Sequence, residues 1–308
     1  MRALIVTNMY PSPARPALGS FVRDQVQALE RIPELDVELF AFEPGSPAAY
    51  ARAASALRRR YRGGRFDVVH AHFGLTAWPA LAVRADAHAV TLHGTDLSHP
   101  RSRALTTAAL PLLDLVAAVS EPLLARVPRW ALRSPTAVLP AGVDTGRFKP
   151  TPRSEARAQL GLRPEGPYVL FAADPRRPEK RYDRARELAA DVELLTLGSV
   201  DPTEVPLWVN AANAVLAPSE REGFGLAVLE ALACDVPVLS TPVGVAPEAL
   251  AGIPGTYCGA FDVVAWRRAL APHLVDADPR VEGRPRAEQF STDLMAARMV
   301  AAWRALAA

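Results

Sequence analysis

Hydrophobic residues recur along the chain in short β-rich runs, with stretches of helical spacing between them. The first half contains the runs RALIVT, DVELFAF, DVVHAH, AVTLHG, LVAAVS and TAVLP, and the second half contains YVLFAA, ELLTLG, NAVLAPS and VPVLST. Helical stretches separate the runs, for example GSFVRDQVQALER and PEKRYDRARELAA. Short apolar strands that alternate with helices predict an α/β fold with parallel sheets covered on both faces.

A pause in this alternation indicates a domain boundary. Residues 146–166, GRFKPTPRSEARAQLGLRPEG, are rich in proline and charge, and 308 residues are too many for a typical compact domain. We therefore predict two doubly wound, Rossmann-like domains in tandem, with the boundary near Pro150. Ligands of such sheets bind at the carboxyl ends of the strands, so we expect one site in an interdomain cleft.

Composition narrows the classes of function. The net charge of +2 does not indicate nucleic acid as a partner. The two cysteines, Cys234 and Cys258, lack metal-ligand spacing, which predicts reduced thiols in the cytoplasm. The apolar start is too short for a signal peptide, and no apolar run approaches the roughly 18 residues that span a bilayer.

The stretch SEREGFGLAVLEALA, residues 219–233, combines carboxylates, glycines and apolar residues. We predict a loop over Ser219–Gly225, after the strand NAVLAPS, and a helix from Leu226 to Cys234. Glycines let the backbone approach a ligand, and a helix N-terminus favours phosphate. Glu230 is expected to be a buried carboxylate that needs a partner. That partner is either a protein donor or the diol of a bound sugar.

The stretch SEREGFGLAVLEALACDVPVLSTPVGVAPEAL resembles the signature of the retaining glycosyltransferases of family 4, which have the GT-B fold. Two glutamates separated by seven residues around a Phe-Gly pair are its hallmark. The segments GSFVRDQVQAL, DVVHAH, TLHGTDL, VAAVSEPL, VLPAGVDTGRFKP and FSTDLMAARMVAAWRALA resemble further family landmarks in the same order. The resemblance implies an acceptor-side domain over residues 1–150, a nucleotide-sugar domain over 151–288 and a helix over 289–308 that packs on the first domain.

The resemblance also implies roles for individual residues. Glu230 would hold the ribose hydroxyls of a nucleotide sugar, and Glu222 would lie beside the donor sugar. His93 would reach the sugar from the first domain, although a histidine at this strand end can instead be structural, and Asp96 can be an N-cap or a ligand contact. The backbone positions expected to meet the sugar or the diphosphate are Gly19, Gly223, Phe224, Gly225 and Leu226.

Cations for the leaving diphosphate are expected in the segment ADPRRPEKRYD. The common form of the family has an arginine six positions before a lysine, where this chain has Asp174. A variant form, Arg-x-x-Lys, matches Arg177 and Lys180, with Arg176 as a spare. The alternative is a solvated first turn of a helix.

His70 and His72 are interpreted as packing or cleft-wall residues that face opposite sides of their strand, so we expect no two-histidine metal site. We expect no metal and no cofactor, with a UDP- or GDP-linked sugar as the donor substrate. Two further departures from the family are Asp235, where a glycine often closes the helix, and the short segment after ELLTLG, where the family has an additional strand and helix.

Residues 50–65, YARAASALRRRYRGGR, carry six arginines and no acidic residue. A basic helix on the first domain is a means of docking on anionic membranes, as for family members that act on lipid-linked acceptors. The alternative is an exposed helix in an arginine-rich chain.

These observations predict a metal-independent, retaining hexosyltransferase. Its acceptor is expected to be a glycan or lipid-linked glycan of the cell envelope, at the inner face of the membrane. An inactive nucleotide-sugar-binding protein of the same fold is the alternative. A nicotinamide oxidoreductase is disfavoured, because TNMYPSPARPALG stands where a G-x-G-x-x-G motif would follow the first strand.

Overall fold

The computed structural model describes residues 1–13, 15–198 and 200–306. Ala14, Ser199 and the last two residues of the predicted closing helix lie outside the described residues. Contacts divide the chain into two compact units, of which the first comprises Met1–Gly142 and the residues from Thr292 onward, and the second comprises Val143–Ser291. The predicted boundary at Pro150 therefore falls inside the second unit.

The first unit is built on a parallel sheet of six strands in the order β2-β1-β3-β4-β5-β6. The strands are β1 (Arg2–Thr7), β2 (Asp36–Ala41), β3 (Phe66–His72), β4 (Ala85–Leu92), β5 (Leu115–Ala118) and β6 (Thr136–Val138). The helices between them are α1 (Ser20–Glu30), α2 (Pro47–Arg60), α3 (Ala77–Ala80), α4 (Thr95–Ser98), α5 (Pro100–Ala109) and α6 (Glu121–Leu124). The central strands are buried along most of their length, as expected for a sheet covered on both faces.

The second unit has a parallel sheet of five strands in the order β11-β10-β9-β7-β8. The strands are β7 (Tyr168–Phe171), β8 (Glu193–Thr196), β9 (Ala214–Ala217), β10 (Val238–Ser240) and β11 (Tyr257–Cys258). The helices are α7 (Arg153–Gln159), α8 (Tyr182–Leu188), α9 (Val205–Ala211), α10 (Leu226–Ala233), α11 (Ala246–Leu250), α12 (Val263–Val275) and α13 (Arg284–Glu288). A core of Val169, Phe171, Leu216, Leu239 and Trp266 joins three strands to α12.

The closing helix α14 (Thr292–Leu306) belongs to the first unit. Met299 and Trp303 of this helix are buried in the same core as Ile5, Val22 and Ala117. The indole Nε1 of Trp303 donates a 2.8 Å hydrogen bond to Nδ1 of His70 on β3. The C-terminal segment therefore supplies apolar area and a specific hydrogen bond to the first sheet.

Two non-glycine residues with left-handed backbone shape the elements of the second unit. The stretch PEKRYDRARELAA is not one helix as predicted, because Arg181 has φ 59° and separates a 3-10 turn at Pro178–Lys180 from α8. Asp235, with φ 55°, follows the last residues of α10. Its carboxylate accepts hydrogen bonds from the backbone N–H groups of Gly283 (3.0 Å) and Arg284 (2.8 Å), which compensates for the strain.

The predicted fold class, an α/β protein with two Rossmann-like domains, is confirmed, and every predicted strand is present. The two-residue strand β11 was not predicted. In the part of the chain that the structure describes, β8 is the edge of the second sheet, and the additional strand of the family is absent beyond it. The second sheet therefore has one strand fewer than the first.

Candidate functional site

The loop between β9 and α10 lies at the carboxyl edge of the second sheet, where parallel sheets bind ligands. The hydroxyl of Thr241 donates to the carbonyl oxygen of Ser219 at 2.5 Å, and the N–H of Val245 donates to the carbonyl of Phe224 at 2.6 Å. These bonds attach the loop to the segment that follows β10. The backbone of the loop is therefore held by the side chain of Thr241 and by the main chain of Val245.

Two glycines of this region have backbone conformations that side chains disfavour. Gly225 precedes α10 with φ 97°. Gly244 has φ 60°, and a Cβ at this position would lie 2.1 Å from the carbonyl oxygen of Phe224. Glycine at 244 is thus required by close packing of two backbone segments as well as by its dihedral angle.

Glu222 is bound by two side chains. Nζ of Lys180 donates to both carboxylate oxygens at 2.6 and 2.8 Å, and the hydroxyl of Ser219 donates to Oε1 at 2.7 Å. The side chains of Lys180 and Glu222 are only 14% and 15% exposed. The structure therefore brings together two of the predicted catalytic residues, which are 42 positions apart in the sequence.

Lys180 is placed by a backbone contact between two segments. It ends the 3-10 turn at Pro178–Lys180, and the N–H of Glu220 donates to the carbonyl of Glu179 at 2.9 Å. The turn after β7 and the loop after β9 therefore lie side by side. This arrangement places one fixed ammonium group next to the glycine-rich segment that begins α10.

The N–H of Lys180 donates to the carbonyl of Arg177 at 3.0 Å, but the side chains of the two residues bind different carboxylates. The guanidinium of Arg177 donates to Oε1 of Glu179 at 2.7 and 2.9 Å and is 54% exposed. Arg176 is 82% exposed and pairs with Asp174, whose pKa it lowers below the ordinary value. The arginines therefore lie on the solvent side of this turn, each neutralised by a neighbouring carboxylate, while Lys180 points inward.

Glu230 differs from its sequence-based expectation. Helix α10 buries Val228, Leu229 and Leu232, whereas Glu230 is partly exposed. The prediction of a buried carboxylate is therefore wrong, because this position of α10 keeps part of its surface accessible, unlike its apolar neighbours. Burial, followed by the charge of Glu230, raises the pKa of the Cys234 thiol to about 12. Cys234 and Cys258 are both free cysteines.

Gly19 precedes helix α1 with φ 66°. A Cβ at this position would lie 2.2 Å from the carbonyl oxygen of Met9. The close approach that requires glycine here is to the protein's own loop after β1. A role at the diphosphate, as the resemblance implies, remains a prediction in addition to this structural requirement.

His93 follows β4 and is held through its backbone. The buried carboxylate of Asp96 accepts from the N–H groups of His93 (2.6 Å), Gly94 (2.9 Å) and Gly74 (2.5 Å). Burial raises the pKa of Asp96, and these hydrogen bonds partly offset the increase. Asp96 is thus neither a helix N-cap nor a free ligand contact: it fixes the turn that carries His93.

His70, His72 and His93 form a continuous group of rings, which corrects the prediction that His70 and His72 face opposite ways. Residues two positions apart in a strand share a face. The rings of His70 and His72 stack with centroids 5.1 Å apart, and those of His72 and His93 lie 5.2 Å apart. Nδ1 of His72 is 3.0 Å from Nε2 of His93. This group was missed, although the spacing H-x-H in DVVHAH carried the signal.

His70 and His72 are fully buried and His93 is partly exposed, and desolvation keeps all three imidazoles neutral. Desolvation lowers the pKa of His72 from 6.5 to about 3, and it lowers the pKa of His70 and His93 well below that ordinary value, with repulsion from His72 contributing to both shifts. Within the described residues, no group of three or more His, Cys, Asp or Glu side chains is arranged to hold a metal ion.

Two surface pockets are lined by none of the predicted site residues. A pocket of about 500 Å³ in the first unit is lined by Leu97, Arg103, Thr107 and Trp130, among others. A pocket of about 660 Å³ in the second unit lies along Pro242, Pro247, Ile253 and Cys258. The predicted donor residues are instead located by the carboxyl edge of the second sheet and by their hydrogen bonds.

Two family models match the two halves of this chain. The family model described as Glycosyltransferase Family 4 matches residues 4–147, and the model described as Glycosyl transferases group 1 matches residues 154–270. A curated relative, the D-inositol 3-phosphate glycosyltransferase of Actinosynnema mirum, is 29% identical over 76% of this chain and 71% of its own length.

Solved structures show the same fold at low identity. The sucrose-phosphate synthase of Thermosynechococcus elongatus superposes with a TM-score of 0.75 at 18% identity and 99% coverage of both chains. Anabaena HepE, solved in complex with UDP and glucose, gives a TM-score of 0.72 at 15% identity, with 99% of this chain and all of that chain covered. The two family matches together span most of the sequence, and the chain therefore belongs to glycosyltransferase family 4 and has the GT-B fold.

Proposed function

We propose that the protein transfers a sugar, with retention of anomeric configuration, from a nucleoside-diphosphate donor to a hydroxyl acceptor. The observation that carries this proposal is the inward ion pair of Lys180 and Glu222 beside the glycine-rich start of α10. A fixed cation and a helix N-terminus in one loop region are suited to a diphosphate group. The family membership of the chain supports the same chemistry.

Charge accounts for the proposed bond cleavage. When the bond between the anomeric carbon and the diphosphate oxygen breaks, negative charge accumulates on the leaving group. Lys180 and the backbone at Gly223–Leu226 are proposed to stabilise that charge. Lys180 must loosen its ion pair with Glu222, and Arg177 its pair with Glu179, before either cation binds the diphosphate. We assign Arg177 the secondary role because it lies on the solvent side of the turn. No metal is required in this proposal, because cationic side chains supply the positive charge.

The nucleotide is proposed to be UDP or GDP, held through its ribose by Glu230. The partial exposure of Glu230 is compatible with a carboxylate that accepts from two hydroxyl groups of a ligand. The structure of Anabaena HepE with UDP and glucose makes UDP the first nucleotide to test. His93 is the residue of the first unit proposed to contact the sugar, and Gly19 is proposed to approach the diphosphate.

Two acceptor classes are proposed. The first is a glycan or lipid-linked glycan of the cell envelope, as the family resemblance suggests. The second is an inositol phosphate, which is favoured by the name of the curated relatives, D-inositol 3-phosphate glycosyltransferase. Assays with UDP-glucose and each acceptor class, with the anomeric configuration of the product read by NMR, would decide between them and test retention.

The basic segment over residues 50–65 is proposed to contact anionic membranes. Helix α2 buries Ala53 and Leu57 and exposes Arg52 and the last-turn Arg58, Arg59 and Arg60. Among the described residues, no helix is long and apolar enough to cross a membrane. Co-sedimentation with anionic vesicles, reduced when these four arginines become glutamine, is expected, whereas equal recovery with neutral vesicles would reject the contact.

The principal experiment is turnover of nucleotide sugars by the wild type and by Glu222→Gln. Hydrolysis or transfer that is lost in the variant, with UDP binding retained, supports the enzyme. The competing proposal is an inactive nucleotide-sugar-binding protein, which the Asp174 departure and the short second sheet favour. Binding without any turnover in the wild type, across UDP- and GDP-linked sugars and both acceptor classes, would favour that alternative.

A further inference from the structure

The hydrogen bonds of His70 define which of its nitrogens carries the proton. Nε1–H of Trp303 is a donor only, so Nδ1 of His70 accepts from it at 2.8 Å. Nε2 of His70 then carries the proton and lies 2.7 Å from the hydroxyl of Thr91. Both nitrogens of this neutral ring are therefore used, and His70 is a fixed wall against which the ring of His72 stacks.

His72 has only one satisfied ring nitrogen. Its Nδ1 lies 3.0 Å from Nε2 of His93, whereas its Nε2 is buried and has no hydrogen-bond partner among the described residues. A proton on Nε2 would leave a buried N–H without an acceptor, which costs about 1–3 kcal/mol. The contact with His93 is a hydrogen bond in either tautomer, but a proton on Nδ1 leaves only a lone pair at the buried Nε2, and orphaned N–H donors are rarer in protein interiors than orphaned acceptors. The second arrangement is favoured.

This arrangement dictates the tautomer of His93. If Nδ1–H of His72 donates, Nε2 of His93 must accept, and the single proton of a neutral His93 then lies on its Nδ1. In the described part of the chain, His72 is the one hydrogen-bond partner of the His93 ring, and the side chain is partly exposed. Nδ1 of His93 is therefore the ring nitrogen available to a ligand, and it is an N–H donor.

We propose that His72 is a positioning residue that locks His93 in the Nδ1–H tautomer, so that His93 offers a neutral hydrogen-bond donor to an oxygen of the substrate. The role toward substrate rests on the function proposed above, but the tautomer does not. A ring nitrogen of His93 that carries a proton selects the kind of ligand atom it can bind. A hydroxyl or carbonyl oxygen can accept its hydrogen bond, whereas an N–H group cannot.

Other contacts fix the remaining freedom of His93. Its backbone N–H is held by Asp96, and its ring packs against Phe21 of α1 with centroids 5.0 Å apart. These contacts orient the ring but do not select a tautomer, because neither reaches a ring nitrogen by a hydrogen bond. Among the described residues, His72 is therefore the side chain that selects the tautomer.

The test is the protonation state of the ring nitrogens, read by ¹⁵N NMR of histidine-labelled, ligand-free protein. The chain has six histidines, and the His93 signals are assigned by comparison with His93→Gln. In the wild type, Nδ1 of His93 is expected to give the signal of a protonated nitrogen and Nε2 that of a bare one. In His72→Phe, which keeps a ring but has no donor, the proton is expected to move to Nε2 in most molecules.

His72→Asn is the rescue variant, because its amide N–H can donate to Nε2 of His93 and restore the wild-type tautomer. His88→Asn, on the same sheet but bonded to the carbonyl of Val83, is the matched control and should change nothing at His93. If His72→Phe fails to fold, the wild type and His72→Asn decide the question. A wild-type His93 protonated on Nε2, or an unchanged tautomer in His72→Phe, would overturn the proposal.

Turnover provides a second readout of the same variants. His72→Phe is expected to lower kcat/KM for the donor by about 10-fold or more, the loss of one hydrogen bond to an uncharged group, and His72→Asn to recover most of it. An inactive wild type with His93 in the predicted tautomer would count against the proposed function only. If His72→Phe shifts the tautomer of His93 and still has full activity, the proposal that Nδ1–H of His93 donates to the substrate would be overturned.

Discussion

Lys180 is the residue whose charge the proposed chemistry needs most. Its ammonium is largely buried and bound to Glu222, whereas Arg176 lies in solvent. Lys180→Gln removes the cation from the leaving group, and we predict a fall in kcat of about 10²–10³-fold, as for loss of one preorganised group that stabilises transition-state charge. Steady-state kinetics with the nucleotide sugar measure this effect.

Arg176→Gln is the matched control, because the same turn loses a cation that faces solvent. Its kcat should stay within about 2-fold of the wild type, in line with the small contribution of exposed ion pairs. Equal losses in the two variants would mean that the overall charge of the turn matters and that the inward position of Lys180 does not.

The buried histidines predict a pH-dependent stability of the first unit. The native pKa of His72 is about 3 and that of the unfolded chain is about 6.5, so the unfolded state binds more protons in this interval. Stability is therefore complete above pH 6.5 and falls as the pH decreases toward 3, with His70 and His93 adding to the same trend. The raised pKa of Asp96 has the opposite effect, because protonation of this carboxyl group at lower pH favours the folded state.

Denaturant unfolding between pH 7 and pH 5 measures this slope, which is expected to approach about 1.4 kcal/mol per pH unit for each buried imidazole. His72→Phe should make the slope shallower by up to that amount. A wild-type stability that stays constant from pH 7 to pH 5 would contradict the neutral, buried state of these rings.

At the residue scale, the local pattern predicted the loop that ends at Gly225 and the helix that begins at Leu226, and both are present. The roles of Glu222 and the loop glycines at a donor stay predictions. The partnership of Lys180 with Glu222, and that of His72 with His93, depends on which loops the sheets bring together. Glu230 was predicted to be buried because its neighbours in the sequence are apolar. Its partial exposure depends on how α10 packs, which the local sequence does not reveal.

At the scale of elements, the loop before α10 depends on glycine at 244. Gly244→Ala adds a methyl group 2.1 Å from the carbonyl of Phe224 and forces a side chain into φ 60°. We predict a loss of stability clearly above the roughly 1–2 kcal/mol of left-handed strain alone, together with weaker nucleotide binding. Chemical denaturation and calorimetric titration measure the two effects.

Gly252→Ala is the control that separates backbone strain from the clash with Phe224 as causes of the lost stability. Gly252 also has a positive φ, 74°, but a Cβ there meets nothing within 4 Å. This variant should lose only the strain energy, about 1–2 kcal/mol, and keep its nucleotide affinity. Similar losses in both variants would show that the contact with Phe224 relaxes at little cost.

The indole of Trp303 packs α14 on the first sheet and donates a hydrogen bond to His70. Trp303→Phe keeps an aromatic ring but leaves Nδ1 of His70 without its donor. We predict a destabilisation of at least about 1–3 kcal/mol, the cost of a buried polar atom left unpaired. Trp130→Phe, at a 65% exposed position, should stay within about 0.5 kcal/mol, and thermal unfolding compares the two.

Among the elements, the strands were predictable because the buried parallel strands are continuous apolar runs. The break at Arg181 was not, because PEKRYDRARELAA has good helical residues throughout and only the tertiary structure imposes a left-handed residue there. The short strand β11 has two residues, too few for any periodicity to reveal.

At the scale of the whole molecule, both the fold and the family were predictable, because the order of landmarks covers nearly the entire chain. The compact units divide between Gly142 and Val143, whereas the predicted boundary lies within the proline- and charge-rich segment, near Pro150. The five-stranded second sheet follows from the short segment after ELLTLG.

The central claim is that the second unit holds a nucleoside diphosphate through Glu230. Calorimetric titration of UDP, GDP and ADP into the wild type, into Glu230→Ala and into the exposed control Glu187→Ala tests it most directly. We predict micromolar binding of one nucleotide by the wild type and the control, and a loss of at least about 10-fold, or about 1.4 kcal/mol, in Glu230→Ala. Binding of none of the three by the wild type, or equal affinity in Glu230→Ala, would contradict the account.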